Sequence, residues 1–350
     1  MRVSLIVAVA VLGGVQSLPE RTLPAATLEF REAFTGIGSV RELSDGRVLV
    51  LDREDKMVNL VDLARSSSTP VGRQGGGPGE YKSPSRLIPL RGDTTVLVDP
   101  GLQRSIVISP SGVAGDVLLN AGEMVSAPGG ARVPQAADAL GRLYFTASGF
   151  APGADLSTLP DSVLLLRLDR RTGRVDTLAR LKQARPNILI DREGSRIKSV
   201  NIRKVPFMPH DDWAVFPDGR VILVRTDPFR IDQRAAGGAL TRGPRIAYLP
   251  IPVVEADRGA AIDPLPKFKP PFDGPSTFLA PDGRVWVRRT TAAADSTARY
   301  DVFDASGRVS SRVSLPPRTR IAGFGKASIY VVRRDEDDLE YLGRLGLPPL

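Results

Sequence analysis

The residues of this sequence that could do chemistry are one histidine with two neighbouring carboxylates and a small number of arginines. His210 is the only histidine in 350 residues, and Asp211 and Asp212 follow it directly. An imidazole titrates near neutral pH and can hold or transfer a proton. A guanidinium group binds a carboxylate or sulfate through two parallel hydrogen bonds. We predict a site for a polar or anionic ligand with six members: Arg73, Arg104, Arg203, His210, Asp212 and Arg225.

The composition excludes several classes of catalytic and metal site. The chain has no cysteine, which excludes disulfides, thiolate zinc sites, thiol nucleophiles and a lipid-modified cysteine anchor. One histidine is too few for a His-rich metal site. No Gly-x-Ser-x-Gly motif supports a serine hydrolase. The glycine-rich stretch at 72–79 continues with Glu80, where a phosphate-binding loop has Gly-Lys-Ser/Thr, so a structural loop is predicted there.

The positive charge of the chain does not indicate a nucleic-acid partner. The formal net charge is +9, with 48 Lys and Arg against 39 Asp and Glu. Only 8 of these basic residues are lysines, and the 40 arginines are spread over the whole chain. Aromatic residues, which would stack on bases, make up 6% of the sequence. We therefore expect no binding of nucleic acid.

Residues 1–17 have the pattern of a secretory signal peptide. Arg2 precedes an apolar run over residues 3–15, and small residues precede a cleavage site after Ser17. This run is too short for a membrane span, which needs roughly 20 residues. We expect residues 18–350 to form a single exported domain, periplasmic or extracellular, without a membrane span and as a monomer.

A repeated turn motif predicts the fold. Asp-Gly-Arg-Val occurs at residues 45–48, 218–221 and 282–285, each time before a strand-like apolar run, and three weaker copies follow the same pattern. Asp-Gly between apolar runs is a strong hairpin signal. A second polar turn follows about 20 to 30 residues later, so each repeat predicts a four-stranded antiparallel meander. The six repeats are marked by Gly46, Gly92, Gly141, Gly219, Gly283 and Gly325.

Six such meanders predict an all-β, six-bladed β-propeller. Closure of the ring requires a strand from one end of the chain to complete the sheet of the other end. Residues 27–34 have the strand pattern for this, and the last repeat, ending near Leu347, is the expected partner. The alternating strand directions place the longest connections, at about 146–162, 183–209 and 254–275, on one face around the channel mouth. Asp52 and Asp99 recur at one repeat position, and we expect both to bind backbone amides.

Several segments resemble the NHL-type repeat of exported bacterial six-bladed propellers, in the TolB-like superfamily. The segments that carry this resemblance are Gly-Arg-Gln-Gly-Gly-Gly-Pro-Gly-Glu-Tyr at 72–81, Pro84, Val-Asp at 98–99 and Arg-Ser-Ile-Val at 104–107. The closing segment, residues 300–335, is also similar to the final blades of exported bacterial proteins of this kind. The resemblance implies the propeller fold and a surface used for binding. Propellers of this kind host binding modules and a minority of enzymes.

Three functions remain open from the sequence. The favoured one is a binding module whose loop-rich face holds a polar or anionic small molecule, a glycan or a partner protein, with no catalytic residue and no cofactor. The alternative is a metal-dependent hydrolase or lactonase similar to gluconolactonase-type propellers, with Ca²⁺ or another divalent cation in the channel. That cation would be held by Glu, Asn and Asp, and the four asparagines form no clear copy of such a set. The third is a lyase that uses the single histidine.

Overall fold

Short antiparallel hairpins account for nearly all of the regular structure. The structure, a computed structural model, describes residues 18–119, 133–147, 160–184, 186–193, 196–203, 205–258 and 265–349. Six sheets, each built on four antiparallel strands and one of them extended by a fifth strand, are arranged as the blades of a six-bladed β-propeller. The predicted fold class is therefore confirmed. The proposed signal peptide lies outside the described residues.

The strands follow one another along the chain in six blades. The chain begins with β1 (Glu20–Thr22) and β2 (Leu28–Glu29). Blade 1 contains β3 (Ile37–Glu42), β4 (Val48–Asp52), β5 (Met57–Asp62) and β6 (Ser67–Pro70). A parallel pair, β7 (Arg73–Gln74) and β8 (Glu80–Tyr81), leads to blade 2, with β9 (Arg86–Pro89), β10 (Thr95–Asp99), β11 (Arg104–Ile108) and β12 (Ala114–Leu119). Blade 3 contains β13 (Ala136–Ala137), β14 (Leu143–Thr146), β15 (Ser162–Asp169) and β16 (Arg174–Lys182).

The second half of the chain adds three more blades and two small insertions. The hairpin of β17 (Asn187–Glu193) and β18 (Arg196–Arg203) precedes blade 4, with β19 (Asp212–Val215), β20 (Val221–Thr226), β21 (Phe229–Arg234) and β22 (Leu240–Arg242). The short pair of β23 (Ile251–Pro252) and β24 (Phe268–Lys269) precedes blade 5, with β25 (Thr277–Leu279), β26 (Val285–Arg288), β27 (Arg299–Phe303) and β28 (Val309–Ser314). Blade 6 contains β29 (Thr319–Phe324), β30 (Ser328–Arg334) and β31 (Glu340–Gly346). Within the described residues, 3₁₀ turns lie at Pro100–Leu102 and Glu255–Asp257.

Two strands from the N-terminal segment complete the ring, where one was predicted. β2 is the fourth strand of blade 6 and pairs antiparallel with β31, which confirms the expected closure. β1 was not predicted, and it adds a fifth strand to blade 5 by pairing parallel with β28. Phe30, just after β2, is only 1% exposed. The N-terminal segment therefore joins the last two blades.

The Asp-Gly-Arg motif makes a hydrogen-bonded turn between the first two strands of a blade. In each copy one carboxylate oxygen accepts from the backbone N–H of the arginine and the other accepts from its Nε, as in Asp218 to Arg220 at 2.9 and 2.6 Å. Gly46, Gly219 and Gly283 have φ of 87°, 86° and 87°, which favours glycine. The repeat is therefore a turn signal and contributes to the fold rather than to a site.

The core is divided between neighbouring blades. Each of the six apolar clusters formed by the described residues joins two adjacent sheets, as Trp286 and Tyr300 of blade 5 join Ile329 of blade 6. The second and third strands of a blade are covered on both faces, which explains continuous apolar runs such as residues 48–51. Every blade thus depends on both neighbours.

Candidate functional site

The first strand of every blade begins at one face of the propeller, which we call the loop-rich face. This face also carries the connections between second and third strands and the crossings between blades. The insertions at 146–162, 183–209 and 254–275 are all connections of these two kinds. Residues 148–159, 185, 194–195, 204 and 259–264 of these insertions lie outside the described residues.

A cavity of about 460 Å³ lies on the loop-rich face at the channel mouth, between blades 3 and 4. Its polar lining comes from the beginnings of inner strands and from the crossing between these two blades. Six of its lining residues are Gln135, Thr146, Lys182, His210, Asp212 and Trp213. The volume is within the range of roughly 300–1,000 Å³ that is typical of small-molecule sites.

His210 is half-buried at the edge of this cavity and is held from two sides. Its Nδ1 lies 3.0 Å from the backbone oxygen of Met208. Its ring makes an edge-to-face contact with Phe272 at 5.9 Å between centroids. No partner for Nε2 is found among the described residues. An imidazole oriented in this way can offer one nitrogen to a ligand.

Asp211 and Arg225 connect blades 3 and 4 through several hydrogen bonds. The Nη1 of Arg225 donates to Asp211 at 2.8 Å and to the backbone oxygen of Arg180 at 2.7 Å. Asp211 also accepts from the backbone N–H groups of Lys182 and Thr226, each at 3.0 Å. The side chain of Arg225 is only 17% exposed. This predicted ligand residue is thus part of a link between blades.

Asp212 links blade 4 to blade 5. One carboxylate oxygen accepts from the backbone N–H groups of Ser276 at 2.8 Å and Thr277 at 3.0 Å, and from both hydroxyls at 3.2 and 2.8 Å. The other accepts from the N–H of Trp213 at 2.9 Å. Asp212 lines the cavity, but its acceptor capacity is largely used within the fold.

Arg73 and Arg104 lie apart from His210, in the crossing from blade 1 to blade 2. Arg73 forms an ion pair with Glu80 at 2.7 Å, and Arg104 donates to the backbone oxygens of Gly77 at 2.8 Å and Glu80 at 2.7 Å. The N–H of Gly77 and then Arg73 hold the pKa of Glu80 below its usual value. The glycine-rich loop therefore binds a carboxylate of its own chain where a phosphate-binding loop would hold its ligand.

Arg203 lies in a third place, exposed at the end of the β17–β18 hairpin and opposite Asn187. The structure therefore brings together three of the six predicted ligand residues, His210, Asp212 and Arg225, and separates the other three. Whether any of the six binds a ligand stays a prediction.

Sequence reasoning missed three arginines at the channel mouth: Arg53, Arg86 and Arg320. Arg86 is half-buried and lines a second cavity of about 480 Å³ in the channel, which shares Gln135 with the first cavity. The available signal was a charged residue near the start of a first strand, since Arg86 is the first residue of β9 and Arg320 is the second residue of β29.

Among the described residues, no three His, Cys, Asp or Glu side chains come together in a group that could hold a metal ion. Within the same residues, no helix is long and apolar enough to cross a membrane.

Comparison with known proteins supports the fold alone. No family model matches the chain, and no curated protein matches it. Among solved structures, a member of the DUF4221 family from Bacteroides vulgatus is 9% identical, with 91% of this chain and 96% of that chain covered and a TM-score of 0.52. A luciferin-regenerating enzyme is 13% identical (90% and 92% covered, TM-score 0.47), and a putative gluconolactonase is 13% identical (92% and 93% covered, TM-score 0.47).

Proposed function

We propose that this protein is an exported binding propeller that holds a polar or anionic small molecule at the channel mouth of its loop-rich face. The observation that supports this most is the 460 Å³ cavity, because residues from blades 3 and 4 and from the entry to blade 5 line it together. Export through residues 1–17 and the NHL-like relationship are parts of the same proposal. A mature chain that begins at Leu18, detected by mass spectrometry outside the cytoplasm, would agree with it.

The lining of the cavity suits a polar ligand with an apolar part. The Nε2 of Gln135 donates to the hydroxyl of Thr146 at 3.2 Å, which fixes the amide at one wall. The Lys182 side chain is exposed, and the ring of Trp213 is half-buried. A few oriented polar groups beside an aromatic surface are typical of small-molecule sites.

Binding is favoured over the metal-dependent hydrolase because the carboxylates beside His210 already have partners. Asp211 and Asp212 accept hydrogen bonds from backbone N–H groups, hydroxyls and Arg225. A hydrolytic cation would have to compete with these donors for the same oxygens. Elemental analysis of protein purified without chelator tests the alternative directly, since a stoichiometric divalent cation together with lactone hydrolysis would replace the binding proposal.

The proposal is tested by a ligand screen followed by calorimetric titration. A panel of acidic sugars, organic acids and short peptides is screened by thermal shift with the wild-type protein, His210→Ala and Arg65→Ala. Arg65 is the control because it is exposed in a turn on the opposite face. We expect at least one panel member to bind the wild type and Arg65→Ala with the same affinity, and to bind His210→Ala at least tenfold more weakly. All three proteins should have similar stability, because surface substitutions away from the core cost little. Absence of binding to every panel member, or equal binding by all three proteins, contradicts the proposal.

A further inference from the structure

Arg320 and Arg53 meet on the first strand of blade 1. The Nη2 of Arg320 donates to the backbone oxygen of Ile37 at 2.7 Å. The next residue is Gly38, and the side chain of Arg53 packs against its Cα. A Cβ built at Gly38 would be 2.3 Å from the Nε of Arg53, so only glycine leaves room for this side chain in its present position. Both guanidinium groups therefore lie over two consecutive residues of one inner strand.

Arg53 in turn connects to Arg86 on the first strand of blade 2. The Nε of Arg53 donates to the backbone oxygen of Ser85 at 3.1 Å, and Arg86 is the next residue. The Nη1 of Arg86 donates to the backbone oxygen of Gln135 in blade 3 at 3.2 Å. The three arginines thus follow the channel mouth from blade 6 to blade 3.

The positive charge of this group is poorly neutralised by the protein itself. Arg320 pairs with Glu340 at 2.9 Å, whereas neither Arg53 nor Arg86 forms an ion pair within the described part of the chain. Partial burial and then the charge of Arg320 lower the pKa of Arg53. Burial and then the charge of Arg53 lower the pKa of Arg86, and the charge of Asp212 opposes this shift. The like charges of neighbouring guanidinium groups repel each other, and a bound anion would remove that cost.

Hydrogen-bond donors remain for such an anion. Nη1 and Nη2 of Arg53, and Nε and Nη2 of Arg86, have no partner among the described residues. The fork of two N–H groups matches the oxygens of a carboxylate or phosphate. Arg104 and Arg225 differ, because one terminal nitrogen of each already donates to two oxygens of the protein: Nη2 of Arg104 to the backbone of Gly77 and Glu80, and Nη1 of Arg225 to Asp211 and the backbone of Arg180.

We propose that Arg53, Arg86 and Arg320 form a binding site for an oxyanion group, the carboxylate or phosphate of a small molecule in the central channel. The inference deepens the proposed function, on which it rests, by naming the charged group of the ligand. Arg53 and Arg86 supply donors that have no partner among the described residues, Arg320 borders the site beside Arg53 while it pairs with Glu340, and Gly38 keeps the position of Arg53 open.

The test is calorimetric titration with citrate, inorganic phosphate and sulfate at two salt concentrations. The proteins are the wild type, Arg53→Gln, Arg86→Gln, Gly38→Ala and the control Arg65→Gln. Gly38→Ala displaces the Arg53 side chain without removing its charge. We expect the wild type to bind citrate or phosphate, more weakly at high salt. Arg53→Gln and Arg86→Gln should bind about 10- to 100-fold more weakly, as for loss of a charge-assisted hydrogen-bonded pair. Gly38→Ala should also bind more weakly, and Arg65→Gln should bind as the wild type does.

The outcomes separate this inference from the proposed function. The thermal unfolding temperature of Arg53→Gln should equal or exceed that of the wild type, because the substitution removes a repelling charge. Weaker binding by this variant would therefore not be a result of unfolding. If a ligand of the cavity requires His210 but binds Arg53→Gln and Arg86→Gln as it binds the wild type, the oxyanion site is refuted and the binding function stands. If the wild type binds neither these three anions nor any member of the ligand panel, both proposals fail.

Discussion

Asp52 and Asp99 end the second strands of blades 1 and 2, and both carboxylates hold the backbone of the loop that enters their own blade. Asp52 accepts from the N–H groups of Thr35 at 2.8 Å and Gly36 at 3.1 Å, and Asp99 accepts from those of Lys82 and Ser83, each at 2.8 Å. The predicted structural role of these two residues is confirmed. Buried carboxylates of this kind stabilise the loops at the channel mouth by accepting hydrogen bonds from their backbone.

Asp212 of blade 4 likewise holds backbone N–H groups, but those at the start of blade 5. Its removal should therefore mainly affect stability. We expect Asp212→Ala to lower the free energy of unfolding by about 2–3 kcal/mol, because two backbone N–H groups and two hydroxyls lose their acceptor. Urea denaturation measures the change. The matched control is Asp337→Ala in the last hairpin, whose side chain is exposed and should cost at most about 0.5 kcal/mol. Equal stability of the two variants would show that the link between blades 4 and 5 is unimportant.

At the scale of elements, the N-terminal segment is the part of the chain that joins the last two blades. β1 lies along β28 of blade 5, and β2 lies along β31 of blade 6. Leu23, between these two strands, is 2% exposed and belongs to the apolar cluster of blades 5 and 6. Phe30 belongs to the cluster between blades 6 and 1. The segment thus contributes to two interfaces between blades as well as covering a sheet edge.

Phe30 allows a direct test of this closure. We expect Phe30→Ala to lower the free energy of unfolding by about 3–4 kcal/mol, because a buried aromatic ring is replaced by a cavity. Phe268→Ala is the control, since Phe268 is 53% exposed and the same truncation there should cost less than about 1 kcal/mol. Denaturant titration of both variants measures the difference. A cost for Phe30→Ala as small as that of the control would contradict closure by the N-terminal segment.

Elements set by local chemistry could be predicted from the sequence, and contacts made by ring closure could not. Asp-Gly-Arg specifies its turn within three residues, and each of the six predicted glycines lies between the first and second strands of its blade. β1 consists of Glu, Arg and Thr, which show no strand alternation, so only its partner β28 makes it a strand. The channel arginines come from residues 53, 86 and 320, and no spacing along the chain indicates that they meet.

At the scale of the whole molecule, closure of the ring brings the arginines of the channel mouth together. The N–H of Ile37 donates to Glu340 at 2.7 Å, so blade 1 lies directly beside blade 6 at the channel. This contact brings Arg320 to the strand over which Arg53 lies. The net charge of +9 is a property of the whole chain, whereas Arg53 and Arg86, which form no ion pair with any described residue, both lie at the mouth of one channel. We therefore expect the ligand to bind at this channel mouth.

The most direct test of this account is to locate a bound oxyanion by diffraction. Crystals of the wild type and of Arg86→Gln are soaked in selenate, and anomalous data are collected at the selenium edge. The account predicts a strong anomalous peak in the wild-type channel within hydrogen-bond distance of the Arg53 and Arg86 guanidinium groups, and none there in Arg86→Gln. Peaks only on the outer surface, for example at Arg73, or an unchanged channel peak in Arg86→Gln, would contradict it.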